Sequence, residues 1–203
     1  MYLSAEPNYP TMPSVLAIYA SPRGDNSNSK DLAGDLATKL AEGGQVTTRD
    51  LIDSDLPYVT NQMIGAYFSN PAEHTDEQKR VIRDSDTYVG EVKAADIIVV
   101  GTPMYNFTVP GTLKAWIDLV ARVGHTFEYT SEGPKGLLKN KKAYVVATTG
   151  GTPIGSDYDF LTPYLKLFFG FIGITDVTIV PAEIPMADPA PGIEKAKAAV
   201  AAI

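Results

Sequence analysis

The chain has 203 residues, 44% hydrophobic and 20% charged, which suits one globular domain with a substantial core. Its formal net charge of -7 argues against a nucleic-acid partner, which needs basic residues to displace counterions, and against docking on an anionic membrane. Without any cysteine it can form no disulfide, iron–sulfur cluster or cysteine nucleophile, and with two histidines no zinc site is expected.

Met1 to Pro13 carries three prolines and no periodicity, and reads as an extended arm. It lacks the basic start and apolar core of a secretory signal, and nothing in the chain approaches the roughly 20 apolar residues of a membrane span, so the expected location is the cytoplasm. Val15 to Ser21 is a short apolar run that fits a strand buried on both faces. Ser29 to Glu42 follows as a helix, with Leu32, Leu36 and Leu40 on one face and Gly43-Gly44 at its end. Gln45 to Leu51 is a second strand, and Leu51 to Asn70 reads as irregular. Thr75 to Ala94 is a mostly polar helix with Val81, Ile82, Val89 and Val92 turned inward. Asp96 to Gly101 is the clearest strand of the chain, and Pro110 to Val123 a helix with proline in its first turn. Phe127 to Leu138 reads as a hairpin around a Ser-Glu-Gly-Pro turn. Lys142 to Thr148 is a fourth main strand, Phe160 to Phe171 an aromatic helix, Val177 to Pro181 the last strand and Gly192 to Ile203 a closing helix.

Five strands separated by helices imply parallel pairing through right-handed crossovers. No linker or repeat divides the chain, so residues 1–203 are read as one α/β domain. In an open parallel sheet, ligands bind beyond the carboxyl ends of the strands where the strand order reverses. With the order 2-1-3-4-5, the loops after the first and third strands flank that crevice.

The first of these loops contains Ser21, Ser27, Asn28 and Ser29 and leads directly into a helix. A helix start presents unpaired N–H groups and partial positive charge, so it attracts phosphate; the same residue types also serve as plain caps and turns. Neither GxGxxG nor GxxxxGK[ST] is present, which argues against a dinucleotide fingerprint and a nucleotide triphosphatase. The loop after the third strand holds Pro103, Met104, Tyr105, Asn106 and Phe107, an apolar and aromatic surface where a solvent loop is normally polar. Such a surface suits a flat heteroaromatic ring, although packing against the next helix would use one or two of the same side chains. After the fourth strand come Thr148, Thr149, Gly150 and Gly151, where paired glycines permit either close approach to a ligand or a tight turn.

Five stretches in order, PMYNF (Pro103 to Phe107), LKAWIDLVARVGHTFEYT (Leu113 to Thr130), GPKGLL (Gly133 to Leu138), TGG (Thr149 to Gly151) and TPYLKLFFGFIGITDV (Thr162 to Val177), resemble the FMN-dependent NADH:quinone oxidoreductase and azoreductase family, once labelled acyl carrier protein phosphodiesterase. The resemblance spans about Val15 to Glu183. It implies a flavodoxin-like three-layer sandwich, non-covalent FMN, NADH or NADPH as donor, quinone and azo acceptors, and ping-pong kinetics. It further implies that Ser21 and Ser27 to Ser29 hold the FMN phosphate, Pro103 to Phe107 line the ring, and Thr148 to Gly151 contact its pyrimidine edge. Tyr129 and Phe168 would shape the acceptor pocket of a homodimer from the partner subunit. His125 is expected in the substrate pocket near its mouth, or packed in the hairpin; His74, in a polar, proline-flanked stretch, reads as solvated; and no side chain is required as an obligatory acid or base. Thr148-Thr149 stands where members often carry arginine or another polar residue, and Thr152 to Phe160 diverges, both of which bear on substrate preference.

Three competing readings remain at this level: a flavodoxin-type electron carrier without small-molecule turnover, a phosphodiesterase following the old family label, and a chain that keeps the fold but has lost flavin. The phosphodiesterase needs a metal cluster or a nucleophile–base pair, and neither can be assembled from these residues.

Overall fold

The computed structural model describes residues 12–203; most of the arm expected over 1–13 lies outside them. The chain starts with β1 (Val15–Tyr19), then runs through α1 (Asn28–Leu40), β2 (Val46–Asp50), α2 (Asn61–Tyr67), α3 (Asp76–Ala94), β3 (Ile97–Pro103) and α4 (Gly111–Val120). A hairpin, β4 (Phe127–Thr130) and β5 (Gly133–Gly136), precedes β6 (Lys142–Thr149), α5 (Leu161–Ile172), β7 (Asp176–Glu183) and α6 (Ala190–Ala201). The main sheet has the order β2-β1-β3-β6-β7, and its four neighbouring pairs are all parallel. With the antiparallel β4–β5 hairpin set aside, this is the expected 2-1-3-4-5 arrangement.

Two cores explain why the strands are continuous apolar runs. Leu16 and Ile18 of β1, with Ile98 and Val100 of β3, pack against Trp116 of α4 and Phe169 of α5. Val15 and Ala17, with Val99 and Val146, pack on the other face against Leu32 and Leu36 of α1 and Ala196 and Val200 of α6. Alternate residues of one strand thus enter opposite layers, so neither parity can be polar. Expected elements fall within a few residues of those observed, with one omission. The segment read as irregular contains α2, capped by the Thr60 hydroxyl, which accepts from the Met63 N–H (3.3 Å). Its seven residues are too few to display a helical period. In α3, Ile82, Val89 and Val92 are buried as expected and Val81 is half-buried, while Ser85 and Tyr88 are also buried, which an apolar pattern does not flag.

Close approach between layers has a specific origin at the crevice. Gly101 of β3 lies directly under α1: a Cβ at this position would run into the Ser29 carbonyl and come within 2.7 Å of the Ala33 Cβ. Only glycine lets the start of α1 rest this low on the sheet.

Candidate functional site

The carboxyl ends of β1, β3, β6 and β7 open onto one cavity of about 750 Å³, within the usual range for small-molecule sites. Ten of the residues singled out from sequence line it together: Ser21, Ser27, Asn28, Ser29, Pro103, Met104, Tyr105, Thr148, Thr149 and Gly150. Asn106, Phe107 and Gly151 are not among its lining residues; Asn106 and Gly151 each adjoin one that is, and Phe107 stands one residue further away. Sequence reasoning missed the opposite wall, formed by Ile184, Pro185 and Met186 after β7 and by Pro189 and Ile193 at α6. The available signal was positional, since a fifth parallel strand delivers its own loop to the same edge.

At one end of the cavity stands the start of α1. The Ser27 hydroxyl caps it, accepting from the Lys30 N–H (3.2 Å), and shares a hydrogen bond with the Ser29 hydroxyl (3.1 Å). Ser21, Ser27 and Ser29 are buried, and the Ser21 Oγ accepts from the Arg23 N–H (3.4 Å). The N–H groups of Asn28 and Ser29 belong to the first turn and have no acceptor inside the helix. Buried hydroxyls beside free helix N–H groups make a site for a phosphate.

The middle of the cavity is rigid and apolar. Met104 N–H donates to the Thr148 carbonyl (2.8 Å), tying the loop after β3 to β6. Tyr105 and Thr108 exchange backbone hydrogen bonds (3.0 and 3.1 Å), closing a two-residue turn with Asn106 at φ +47° and Phe107 at φ +72°. A left-handed backbone is common for asparagine but a real strain for phenylalanine. The turn also touches the segment before α5: the Phe160 N–H donates to the Phe107 carbonyl (3.0 Å), and the Tyr158 and Phe107 rings lie 6.0 Å apart.

At the β6 end, Thr149 is 5% exposed and its hydroxyl has no hydrogen-bond partner. An unsatisfied buried hydroxyl in a cavity wall costs stability unless a ligand completes it. The start of α1 with its free N–H groups, an apolar slot and the unpaired Thr149 hydroxyl together suit a phosphorylated flat ring with a polar edge.

The structure does not bring Tyr129, Phe168 or His125 to this cavity within one chain. Tyr129 is 68% exposed on β4, edge-on to Phe127 (5.4 Å). Phe168 is buried between Trp116 and Phe169, at 6.1 and 5.4 Å. His125 lines a separate cavity of about 290 Å³ with His74, Asp86, Lys93 and Arg122. Burial, with the Arg122 and Lys93 charges, holds its imidazole below the ordinary histidine value. His74, read from sequence as solvated, is partly buried, and its Nε2 lies 3.1 Å from the Ala66 carbonyl. Arg122 is nearly buried, lies over the Tyr67 ring (4.0 Å), and donates to Ser85 (2.7 Å) and Asp86 (3.0 Å). It joins α2 and α3 to the end of α4. No group of three or more potential metal ligands occurs among the described residues, and none of their helices is long and apolar enough to cross a membrane.

Residues 13–203 match a family described by its flavodoxin-like fold. The chain is 49% identical over 170 residues, 83% of its length and 86% of the relative's, to the FMN-dependent NADH:quinone oxidoreductase of Erythrobacter litoralis. It is 44% identical over 191 residues, 93% of both chains, to FMN-dependent NADH:quinone oxidoreductase 1 of Hahella chejuensis. Among solved structures, it resembles an FMN-dependent NADH-azoreductase from Bacillus anthracis in complex with FMN, with a TM-score of 0.82 at 27% identity, covering 93% of this chain and 96% of that one.

Proposed function

Because the chain belongs to the flavodoxin-like family of FMN-dependent NADH:quinone oxidoreductases, we propose that it reduces quinones, and azo compounds in the same pocket, with NADH as donor. The observation that carries this reading is the convergence of the α1 start, the Pro103–Tyr105 slot and the unpaired Thr149 hydroxyl on one cavity. The residues fit FMN: Ser21, Ser27 and the first-turn N–H groups of α1 would hold the phosphate, and Met104 and Tyr105 would flank the ring. Asn106 and Phe107 would present backbone to its edge, while Thr148 to Gly150, with Gly151 behind them, would meet the pyrimidine side.

Bound there, FMN would supply two-electron hydride chemistry between NADH and the acceptor. The chain's own contribution is placement. The loop after β3, tied to β6 through Met104, would orient the ring, and Ile184, Pro185 and Met186 would give it an apolar wall on the opposite side. No side chain of the cavity is needed as an obligatory acid, since water can supply the proton that completes quinone reduction. A single open face, visited by donor and acceptor in turn, gives ping-pong kinetics.

A homodimer belongs to the same reading. Phe107, Tyr158, Phe160 and Leu167 are all more than half exposed, and a second copy covering them would remove apolar surface from water. Tyr129 is exposed enough to reach a partner's crevice, whereas Phe168 and His125, packed within their own chain, would act from behind it. With NADH as donor, the proposed location is the cytoplasm. The test is a visible spectrum of the pure protein, then anaerobic titration with NADH and turnover with menadione. Flavin bands, bleaching by NADH and parallel double-reciprocal lines are expected. Flavin that bleaches without menadione turnover would make the protein an electron carrier, and a colourless protein that takes up no FMN would remove the reading.

A further inference from the structure

One carboxylate organises the segment between β6 and α5. Asp159 is 4% exposed and accepts four hydrogen bonds. Its Oδ1 takes the N–H groups of Leu161 (3.0 Å) and Thr162 (2.9 Å), which begin α5. Its Oδ2 takes the Gly155 N–H (2.9 Å) and the Thr162 hydroxyl (2.5 Å). Burial by itself would raise this carboxyl, but the donors from Thr162, Gly155 and Leu161 outweigh it and hold the pKa below the ordinary value. The group therefore works as a carboxylate.

The residues on either side of Asp159 are the two that touch the loop after β3. Tyr158 sets its ring against Phe107, and Phe160 donates its N–H to the Phe107 carbonyl. Phe107 is the residue with the less tolerable left-handed backbone, a strained conformation that persists only when its surroundings enforce it. We propose that Asp159 is a positioning residue: it fixes segment 153–160, and that segment clamps the Asn106–Phe107 turn in its left-handed form beside the cavity. The inference rests on reading the cavity as the FMN site. It adds a residue that lines no part of the cavity and would control it through Tyr158 and Phe160.

The experiment is a mutant cycle on the apoprotein, read by quenching of FMN fluorescence and by amide exchange. Asp159→Asn keeps an acceptor for the start of α5 but turns an NH2 group toward the Gly155 N–H. It should weaken FMN binding about tenfold. In a Phe107→Gly background, where glycine takes φ +72° unaided, the same change should cost less than about twofold. Should Asp159→Asn fail to fold, Tyr158→Ala, which leaves the carboxylate network intact, replaces it in the cycle with the same expectation. A merely structural role would lower thermal stability yet weaken FMN binding equally in both backgrounds, and that result overturns the proposal. So does a wild-type affinity in Asp159→Asn. Wild-type apoprotein that takes up no FMN would instead remove the flavin reading. Exchange then decides the positioning alone: loss of protection at the Tyr105 and Thr108 amides in Asp159→Asn supports it, and unchanged protection refutes it.

Discussion

Replacing Gly101 with alanine tests how far the start of α1 depends on close packing against the sheet. The added methyl meets the Ser29 carbonyl and stands 2.7 Å from the Ala33 Cβ, both on the inner side of α1. Carbon atoms sit comfortably at about 3.5–4.0 Å, so the helix must retreat by roughly 1 Å. Neither obstacle is a flexible side-chain end, and β3 is held between β1 and β6 by parallel pairing through Tyr19 and Val146. Overpacking of this kind costs about 1–3 kcal/mol. In a domain of this size each kcal/mol lowers Tm by roughly 2–4 °C. Because Ser27, Asn28 and Ser29 ride on α1, the phosphate end of the cavity moves with it. Losing the equivalent of one hydrogen bond to a charged group, about 1.5–3 kcal/mol, weakens FMN binding at least tenfold. Circular dichroism melts of the apoprotein and fluorescence titration with FMN measure the two effects separately. Gly90→Ala serves as control, since a Cβ at this α3 position meets nothing within 4 Å and alanine is the better helix former. Wild-type melting and wild-type FMN affinity in Gly101→Ala would show that the seat of α1 on the sheet does not depend on glycine at this position.

Thr149→Val removes the buried hydroxyl that has no partner in the chain; the apoprotein should melt at or slightly above the wild-type temperature, while FMN affinity falls several-fold in the same titration. Arg122→Met strips the Ser85 and Asp86 hydrogen bonds and the stacking on Tyr67, and urea unfolding should report a loss of about 1–3 kcal/mol, with Asp86 left free to turn into solvent. The His125 pKa is lowered in the folded chain, facing Arg122 and Lys93 with Asp86 as the opposing charge. Its contribution to stability is therefore present above the unfolded value of 6.5 and lost as pH falls through the folded value. His125→Asn should flatten the decline of Tm on acidification below 6.5, and an unchanged slope would contradict that sign. Asp159 is likewise lowered, so its contribution is complete above the ordinary carboxyl value of 3.8 and disappears at more acid pH; melting of Asp159→Asn should converge on wild type only in strong acid.

Local residue pattern determined the architecture. Runs such as Val15–Tyr19 and Ile97–Val100 are apolar at every position because each parity enters a different core, and this alone specifies a parallel sheet covered on both faces. Alternation with helices then places the strand ends, and the loops at those ends carry most of the cavity: its serine, aromatic and threonine walls could be named from the chain. Tertiary structure decided what lies opposite them. Ile184 to Met186 share one cavity with Ser21 and Met104: the order 2-1-3-4-5 already sets the last strand at the sheet edge, but the path by which the loop after it turns back over the crevice is fixed only by folding. Within one chain it also keeps His125 and Phe168 apart from the cavity, since an apolar or titratable side chain reports that it is covered but not by which element. Asp159 was invisible for the same reason: an aspartate before a helix reads as a simple cap, and its wider role depends on a strained turn about 50 residues earlier that folding brings against its neighbours.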